Sequence, residues 1–310
     1  MAYKKRSWDI SNVFRGWIGK LLIIFNPVAG RRRTAALWRV LDLLIENGVK
    51  IEVAETQYAG HATLLTRQAV RQGASMVVAA GGDGTIAEVA NGLLGTQTAL
   101  GVIPLGTANV LAREHCLSTS PRGIANALAY RRCKYLWPGV AQMPGGRRVF
   151  MQMLGQGFDG AVVKSLPPAL KRAIGKGAYV WQSLWESLAY SFPPVRLCVD
   201  GVAMQAASVI VSKGRFYGGP YMLAPQAEPS APGFQVVLFE KPGTWPALLS
   251  GAALPLGLLP RCPGVRVVGG SHVEFMTSDA RIWTQADGDS LSASPQMVAS
   301  AEAPILLVVG

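Results

Sequence analysis

The chain has 310 residues, half of them hydrophobic and 15% charged, with a formal net charge of +12. Such a composition supports a sizeable core and excludes a disordered chain. The length suggests two domains, and the charge fits a polyanionic partner: phosphate, nucleic acid or an anionic membrane. Cys116, Cys133, Cys198 and Cys262 are scattered without a CxxC pair, and there are only three histidines. That argues against a zinc site or a disulfide framework and fits a reducing compartment. No apolar stretch reaches the roughly 20 residues that span a bilayer. The nearest, Trp245 to Pro260, is broken by Pro255 and its flanking glycines.

In chain order, residues 1–20 read as a basic amphipathic extension. Ile10, Val13, Phe14, Trp17 and Ile18 fall on one helical face, and Lys4, Lys5, Arg6, Arg15 and Lys20 supply charge. The pattern suits a membrane interface, although a helix packed on the protein's own core or a loose tail is equally open. "LLIIF" (Leu21 to Phe25) reads as a buried strand, followed by a helix with Leu37, Val40, Leu41 and Leu44 on one face. "VKIEVAET" predicts a second strand and "HATLLTRQAVRQG" a second helix. "SMVVAA" predicts a third strand, then "GGDGT" and the helix "IAEVANGLL". "TALGVIP" predicts a fourth, then "LGTAN" and the helix "VLARE". Four strand–helix units in succession predict an α/β domain with a doubly wound parallel sheet over 21–130. From about Arg131 short β-like runs separated by Gly, Pro and Asp predict a mainly antiparallel, β-sandwich-like domain over 131–310. One helical segment, Ala169 to Tyr190, interrupts it, and the last strand is free to return to the first domain.

Ligands of open parallel sheets bind outside the carboxyl ends of the strands. Three loops there combine glycine with small polar residues: Asn26–Gly30, Gly81–Thr85 and Leu105–Asn109. The second opens a helix, with Thr85 and Glu88 in capping-box spacing. A helix start with bare glycine backbone is suited to cradle phosphate, and Arg31, Arg32 and Arg33 stand next to the first loop. There is no GxxxxGK[ST] P-loop. Gly82-x-Gly84-x-x-Ala87 fits the dinucleotide fingerprint only loosely, since it follows the third strand and lacks an acid about 20 residues on.

The ordered pieces "FNPVAG", "ETQYAGHA", "AAGGDGTIAEVANGL" and "IPLGTANVLARE" resemble the diacylglycerol kinase catalytic domain, especially that of bacterial soluble lipid kinases related to diacylglycerol and sphingosine kinases. "GQGFDGAVV", "LKRAIGKGAYVWQSL", "YGGPYMLAPQA" and "QADGD" extend the resemblance over nearly the whole chain from Leu21. It implies transfer of phosphate from ATP, with Mg²⁺, to a lipid hydroxyl in a cleft between the two domains. It also implies a cytoplasmic enzyme peripheral to the inner face of the membrane. The partners expected are a lipid substrate and an anionic membrane surface, with no nucleic acid; a homodimer is left open. Carried over by motif, nucleotide contacts fall on Asn26, Pro27, Val28, Ala29 and Gly30, with Arg31 beside them. They continue on Thr56, on Gly81, Gly82, Asp83, Gly84, Thr85, Ile86 and Ala87, and on Thr107 with Asn109. Asp83 is the expected metal ligand, and Asp287 and Asp289 are the expected catalytic carboxylates, although a lone Asp-Gly-Asp is usually a plain β-turn.

The sequence departs from the family pattern at Asp289 (usually Glu), Ala87 (usually Asn) and Val110 (often Asp). Many bacterial relatives carry Asp-Gly-Leu where Pro232-Gly233-Phe234 stands, the Asp binding a structural Mg²⁺, so that second metal is not expected here. Two rivals stand beside the lipid kinase. An NAD kinase shares GGDGT but uses a downstream Asn-Glu dipeptide, which this chain lacks. The other is a weakly catalytic nucleotide- or lipid-binding protein of the same fold. No aromatic–basic motif supports nucleic-acid binding.

Overall fold

The computed structural model describes residues 21–28, 34–165, 186, 188–276, 279 and 281–310. The basic extension, Ala29, Gly30 and Arg31 to Arg33, and most of the helix expected from Ala169 lie outside the described residues.

The first half is a six-stranded sheet. Strands β1 (Leu21–Phe25), β2 (Ile51–Glu55), β3 (Met76–Gly81) and β4 (Ala99–Pro104) run parallel. Helices α1 (Thr34–Glu46), α2 (His61–Arg71), α3 (Asp83–Leu93), α4 (Val110–Glu114) and α5 (Pro121–Tyr130) follow or connect them. The central strands are apolar at every position because both faces are covered, and successive side chains alternate between those faces. Leu22, Ile24, Val77 and Ala79 pack with α2 and α3. Leu21, Ile23, Met76 and Val78 pack with α1 and α5, against Leu37, Val40, Leu41 and Leu44 as the helical spacing requires.

The sheet order is β2-β1-β3-β4-β20-β5, with β5 (Arg132–Leu136) at one edge and the last strand of the chain, β20 (Ile305–Val309), between it and β4. The change of sequence texture at Arg131 therefore does not coincide with the end of the first sheet. Arg131 ends α5 in the left-handed region (φ 55), which turns the chain straight back along the sheet edge.

The second half contributes β6 (Gly139–Met143), β7 (Gly146–Phe150), β8 (Met153–Gly157), α6 (Phe158–Ser165), β9 (Val195–Val199), β10 (Val202–Ala206) and β11 (Ser208–Ser212). The short pair β12 (Phe216–Tyr217) and β13 (Tyr221–Met222) follows, then β14 (Phe234–Phe239), α7 (Thr244–Ala253), β15 (Val265–Gly270) and β16 (His272–Phe275). It closes with β17 (Thr284–Ala286), β18 (Asp289–Ser290) and β19 (Met297–Ser300). Two antiparallel six-stranded sheets result, β10-β9-β16-β19-β6-β7 and β15-β14-β11-β8-β17-β18. Phe150, Val195, Leu197 and Val273 of one meet Leu154, Val209, Val211 and Val236 of the other in a common core, the arrangement of a sandwich. Val140, Val149, Met151 and Ala301 leave that core and join the cluster under α2 and α3. The two halves thus share apolar packing.

Beyond β11, Lys213 is only 1% exposed. Its ammonium donates to the carbonyls of Ala231 (2.7 Å) and Gly233 (2.8 Å) and lies 5.5 Å from the centre of the Phe234 ring. A tethered cation therefore holds the turn at Pro232-Gly233-Phe234, where the sequence offers no carboxylate. Burial lowers the Lys213 pKa to about 8, against the opposing charge of Glu228. The folded value lies below the ordinary 10.5, so between those pH values the unfolded chain binds more protons and stability from this site rises with pH. Lys213→Met strands two carbonyls and should lower unfolding free energy by roughly 2 kcal/mol at pH 7 in urea titrations. The gap to the wild type should widen as pH rises above 8, and chelators should leave the wild-type melting temperature unchanged. A variant as stable as the wild type would show that the turn needs no cation.

Candidate active site

The carboxyl ends of β1, β3 and β4 bring the three glycine-containing loops together. Asn26 N–H donates to the Ala80 carbonyl (3.0 Å), and its side-chain amide donates to Thr85 Oγ1 (3.0 Å). Leu105 and Gly106 N–H both donate to the Gly81 carbonyl (2.9 and 3.2 Å). Val28 N–H closes the first turn on Asn26 Oδ1, with Pro27 between them, and Thr56 N–H donates to Phe25 at the strand end (2.9 Å). Asn109 takes the left-handed conformation (φ 47) at the start of α4, and Thr107 is exposed at the rim.

The glycines are required by closeness rather than by backbone angle, since Gly81, Gly82 and Gly84 all avoid positive φ. A Cβ on Gly106 would lie 2.6 Å from the Gly82 Cα, and one on Gly81 would lie 2.5 Å from Thr85 Oγ1. Two loops pass backbone to backbone at the start of α3. The loops' own side chains leave the N–H groups and the positive end of the helix largely uncovered, a setting that suits phosphate. Ile86 and Ala87 are buried in the first turns of α3.

The expected capping box does not form. The helix begins at Asp83, so Thr85 already lies inside the first turn and accepts from Asn26. Glu88 instead turns away and accepts from Gly60 N–H (2.8 Å) and Ala62 N–H (3.1 Å), capping α2. Asp83 Oδ1 accepts from Leu111 N–H (3.2 Å), tying α3 to α4. Val110, the first residue of α4, is buried.

The acidic turn of the second half arrives beside this cradle. Asp287 (φ 49) and Gly288 (φ 84) form the two-residue turn between β17 and β18, where Ala286 pairs with Asp289. Two consecutive positive φ values mark the turn type that Asp-Gly favours in hairpins. The Asp287 carboxylate accepts from three successive N–H groups, Met151 (2.6 Å), Gln152 (2.9 Å) and Met153 (3.0 Å). Burial raises its pKa to about 6; the three donors pull it down, and the charge of Asp83 adds to the rise. Asp289 lies on the other side of the turn with a half-exposed side chain. A Cβ on Gly84 would be 2.9 Å from Asp289 Oδ2, so this carboxylate sits against the first turn of α3. Asp287 feels the charge of Asp83, and Asp289 stands against Gly84, the residue after Asp83.

Several participants carry no local sequence signal. Arg148 of β7 donates to Asp289 Oδ2 (3.1 Å). With Arg67, Arg147, Glu88, Gly60 and Thr63 it lines a cleft of about 220 Å³ that runs along α3 past Ala87. Glu114, its side chain 1% exposed, holds Arg215 through Nε (2.7 Å) and through the main-chain N–H (2.8 Å), a second tie between the halves. Asp159 in "GQGFDG" is buried, accepting from Tyr217 Oη and from Gln285 Nε2 (2.7 Å). Burial raises its pKa, and those two bonds oppose the rise. Among the described residues no group of three or more His, Cys, Asp or Glu side chains is arranged to hold a metal. Asp83, at the start of α3, offers oxygen ligands that fit a hard cation held partly by phosphate.

Residues 20–135 match the model of the diacylglycerol kinase catalytic domain, and residues 152–309 match that of the YegS C-terminal NAD kinase beta sandwich-like domain. A Cronobacter sakazakii protein named probable lipid kinase YegS-like is 30% identical, the match covering 81% of this chain and 84% of that protein. The diacylglycerol kinase of Bacillus subtilis is also 30% identical, over 71% of this chain and 73% of its own. The crystal structure of a diacylglycerol kinase from Bacillus anthracis shares the fold, with a TM-score of 0.67, 19% identity and coverage of 94% and 97% of the two chains. The chain belongs to the diacylglycerol kinase family, as a lipid kinase with the YegS-type C-terminal domain.

Proposed function

We propose that this lipid kinase transfers the γ-phosphate of ATP, with Mg²⁺, to a hydroxyl of a diacylglycerol-like or sphingoid-like lipid at the cytoplasmic surface of a membrane. The observation that carries the reading is the approach of Asp289 to Gly84, which sets an acidic turn against a glycine-backed helix start. The backbone around Gly81, Gly82 and Gly106 receives the phosphates, with Asn26 and Thr85 locking the loops and Thr56 and Thr107 at the rim. Asp83 is the residue to hold Mg²⁺, which when bound neutralises charge on the transferring phosphoryl group. Asp289, its side chain half-exposed, accepts the proton of the lipid hydroxyl, and Arg148 stands ready for the charge that develops. Asp287, its oxygens occupied by three N–H groups, fixes the turn that presents Asp289. The test is labelled ATP against a panel of lipid hydroxyls in anionic micelles, with NAD as a separate acceptor. Transfer to NAD alone, or ATP binding without transfer to any acceptor, would overturn the reading.

Asp289→Asn and Asp83→Ala should each lower turnover by at least ~10², the usual worth of a positioned acid or base, while the melting temperature hardly moves. Near-normal turnover in either variant removes that residue from the mechanism. Asp287→Ala should behave differently and lose stability as well, by roughly 1–3 kcal/mol, since three N–H groups are left without an acceptor. An unchanged melting temperature there would contradict the holding role.

The pH profile offers an independent check. Below about pH 6 Asp287 gains a proton, and one oxygen ceases to accept from the N–H groups. That shifts the turn that presents Asp289, so kcat/KM for ATP should fall as pH drops through that value. Global stability from this group, whose folded pKa is raised, does not fall with it. In Asp287→Asn this acid limb should vanish. A limb that persists belongs to another group.

A further inference from the structure

Between Glu240 and Glu274 the chain contains no acidic residue, and from Pro242 to Pro260 it contains no charge at all. This stretch forms α7 and the loop to a 3-10 turn at Leu259–Arg261. Helix α7 buries only Ala253. Trp245 is 82% exposed and Leu249, one turn on, 53%; Leu256 and Leu258 follow at 71% and 44%. No other described segment gathers so many large apolar side chains at the surface. At its base, Leu254 and Leu259 pack with Met153, Ile210 and Val237 on the outer face of the β14–β11–β8 sheet. Exposed Lys241 and Arg261 flank the two ends.

We propose that this hairpin is the surface through which the enzyme docks on an anionic bilayer, its apolar tip entering the interface and Lys241 and Arg261 meeting the head groups. The inference rests on the lipid kinase reading, because such an enzyme must reach a substrate held in a bilayer. An exposed apolar cluster of this kind marks an interaction surface. Tryptophan is at home at head-group depth, and an acid-free segment between two flanking cations is attracted to anionic lipid, the neighbouring Glu240 being paired with Arg266. Charge also argues against a second copy of the chain as occupant. A two-fold contact sets a patch against itself, which would bring the flanking cations of one copy towards those of the other. The hairpin's base shares its cluster with Tyr217, whose hydroxyl donates to Asp159, so docking occurs on the sheet face that leads to that buried carboxyl.

The test is flotation of the full chain with vesicles of phosphatidylglycerol and phosphatidylcholine, and with phosphatidylcholine alone. Trp245→Ser/Leu249→Ser should lower partition to the mixed vesicles about tenfold or more, as expected for anchors of this size. Lys241→Gln/Arg261→Gln should lower it several-fold, on anionic vesicles only, and flatten its salt dependence. Both variants should keep the wild-type melting temperature and turnover on a short-chain, water-dispersed lipid. The proposal is overturned if the wild type does not float, or if the apolar double variant floats as well as the wild type, which would shift docking elsewhere, residues 1–20 included. It is also overturned if the wild type is a dimer that this variant splits. Flotation that depends on the hairpin, without phosphorylation of any lipid hydroxyl, would keep the docking surface and remove the kinase reading.

Discussion

A single carboxylate holding three consecutive backbone N–H groups sets the geometry of the site. Asp287 takes the donors of Met151, Gln152 and Met153, where β7 gives way to β8 and the chain passes from one sheet of the sandwich to the other. Such a crossing leaves main-chain donors unpaired, and buried donors need partners. Asp287 supplies them from a hairpin turn, and the same turn presents Asp289 two residues later. Met151 also packs in the cluster beneath α2 and α3. The acidic turn is thereby referred to the helix it faces, and Asp289 meets Gly84 through short, stiff connections. Burial nonetheless raises Asp287 to about 6, so the holding group is itself sensitive to protons.

The first sheet was largely legible because its signals are local. A run such as "LLIIF" must be covered on both faces, and the helical spacing of Leu37, Val40, Leu41 and Leu44 says what covers one of them. The glycine loops were legible as a place, but the reason for each glycine was not. Thr85 and Glu88 have capping-box spacing, yet each is taken by a group remote in sequence, Asn26 and the start of α2. Spacing records what a residue can do locally and is silent on competing partners brought by the fold. The pairing of Arg148 with Asp289 shows the same limit, as does Lys213, whose buried ammonium no local pattern announces. The edge strand β5 was hidden by composition, because an edge strand with polar flanks reads like the antiparallel runs that follow it.

Charge is distributed with a clear division. The excess of cations in the composition is not concentrated at the proposed phosphate cradle, whose described lining is backbone, small polar groups and carboxylates. Arginines stand one step back, Arg67, Arg147 and Arg148 along the cleft. A cradle built from N–H groups binds phosphate through fixed dipoles, and carboxylates can sit beside it to hold a cation without being neutralised by a neighbouring ammonium. Arg148 is the exception, since it pairs with Asp289; under the proposed function a nucleotide would compete for it.

The ties between the halves bear on how the site can work. Opening the cleft as a hinge would pull Val149 and Met151 from the cluster they share with α2 and α3. Each such side chain is worth roughly 1.5–3 kcal/mol when fully buried. It would also separate buried Glu114 from Arg215, and stranding one member of such a pair is costly. The described contacts therefore favour a site whose dipoles and carboxylates are already in place over one assembled by large domain motion. Preorganised groups need no rearrangement when charge develops. Under the proposed function, specificity for the acceptor is decided by what the second half places over the cradle, and by how the body is oriented on the surface that carries the lipid.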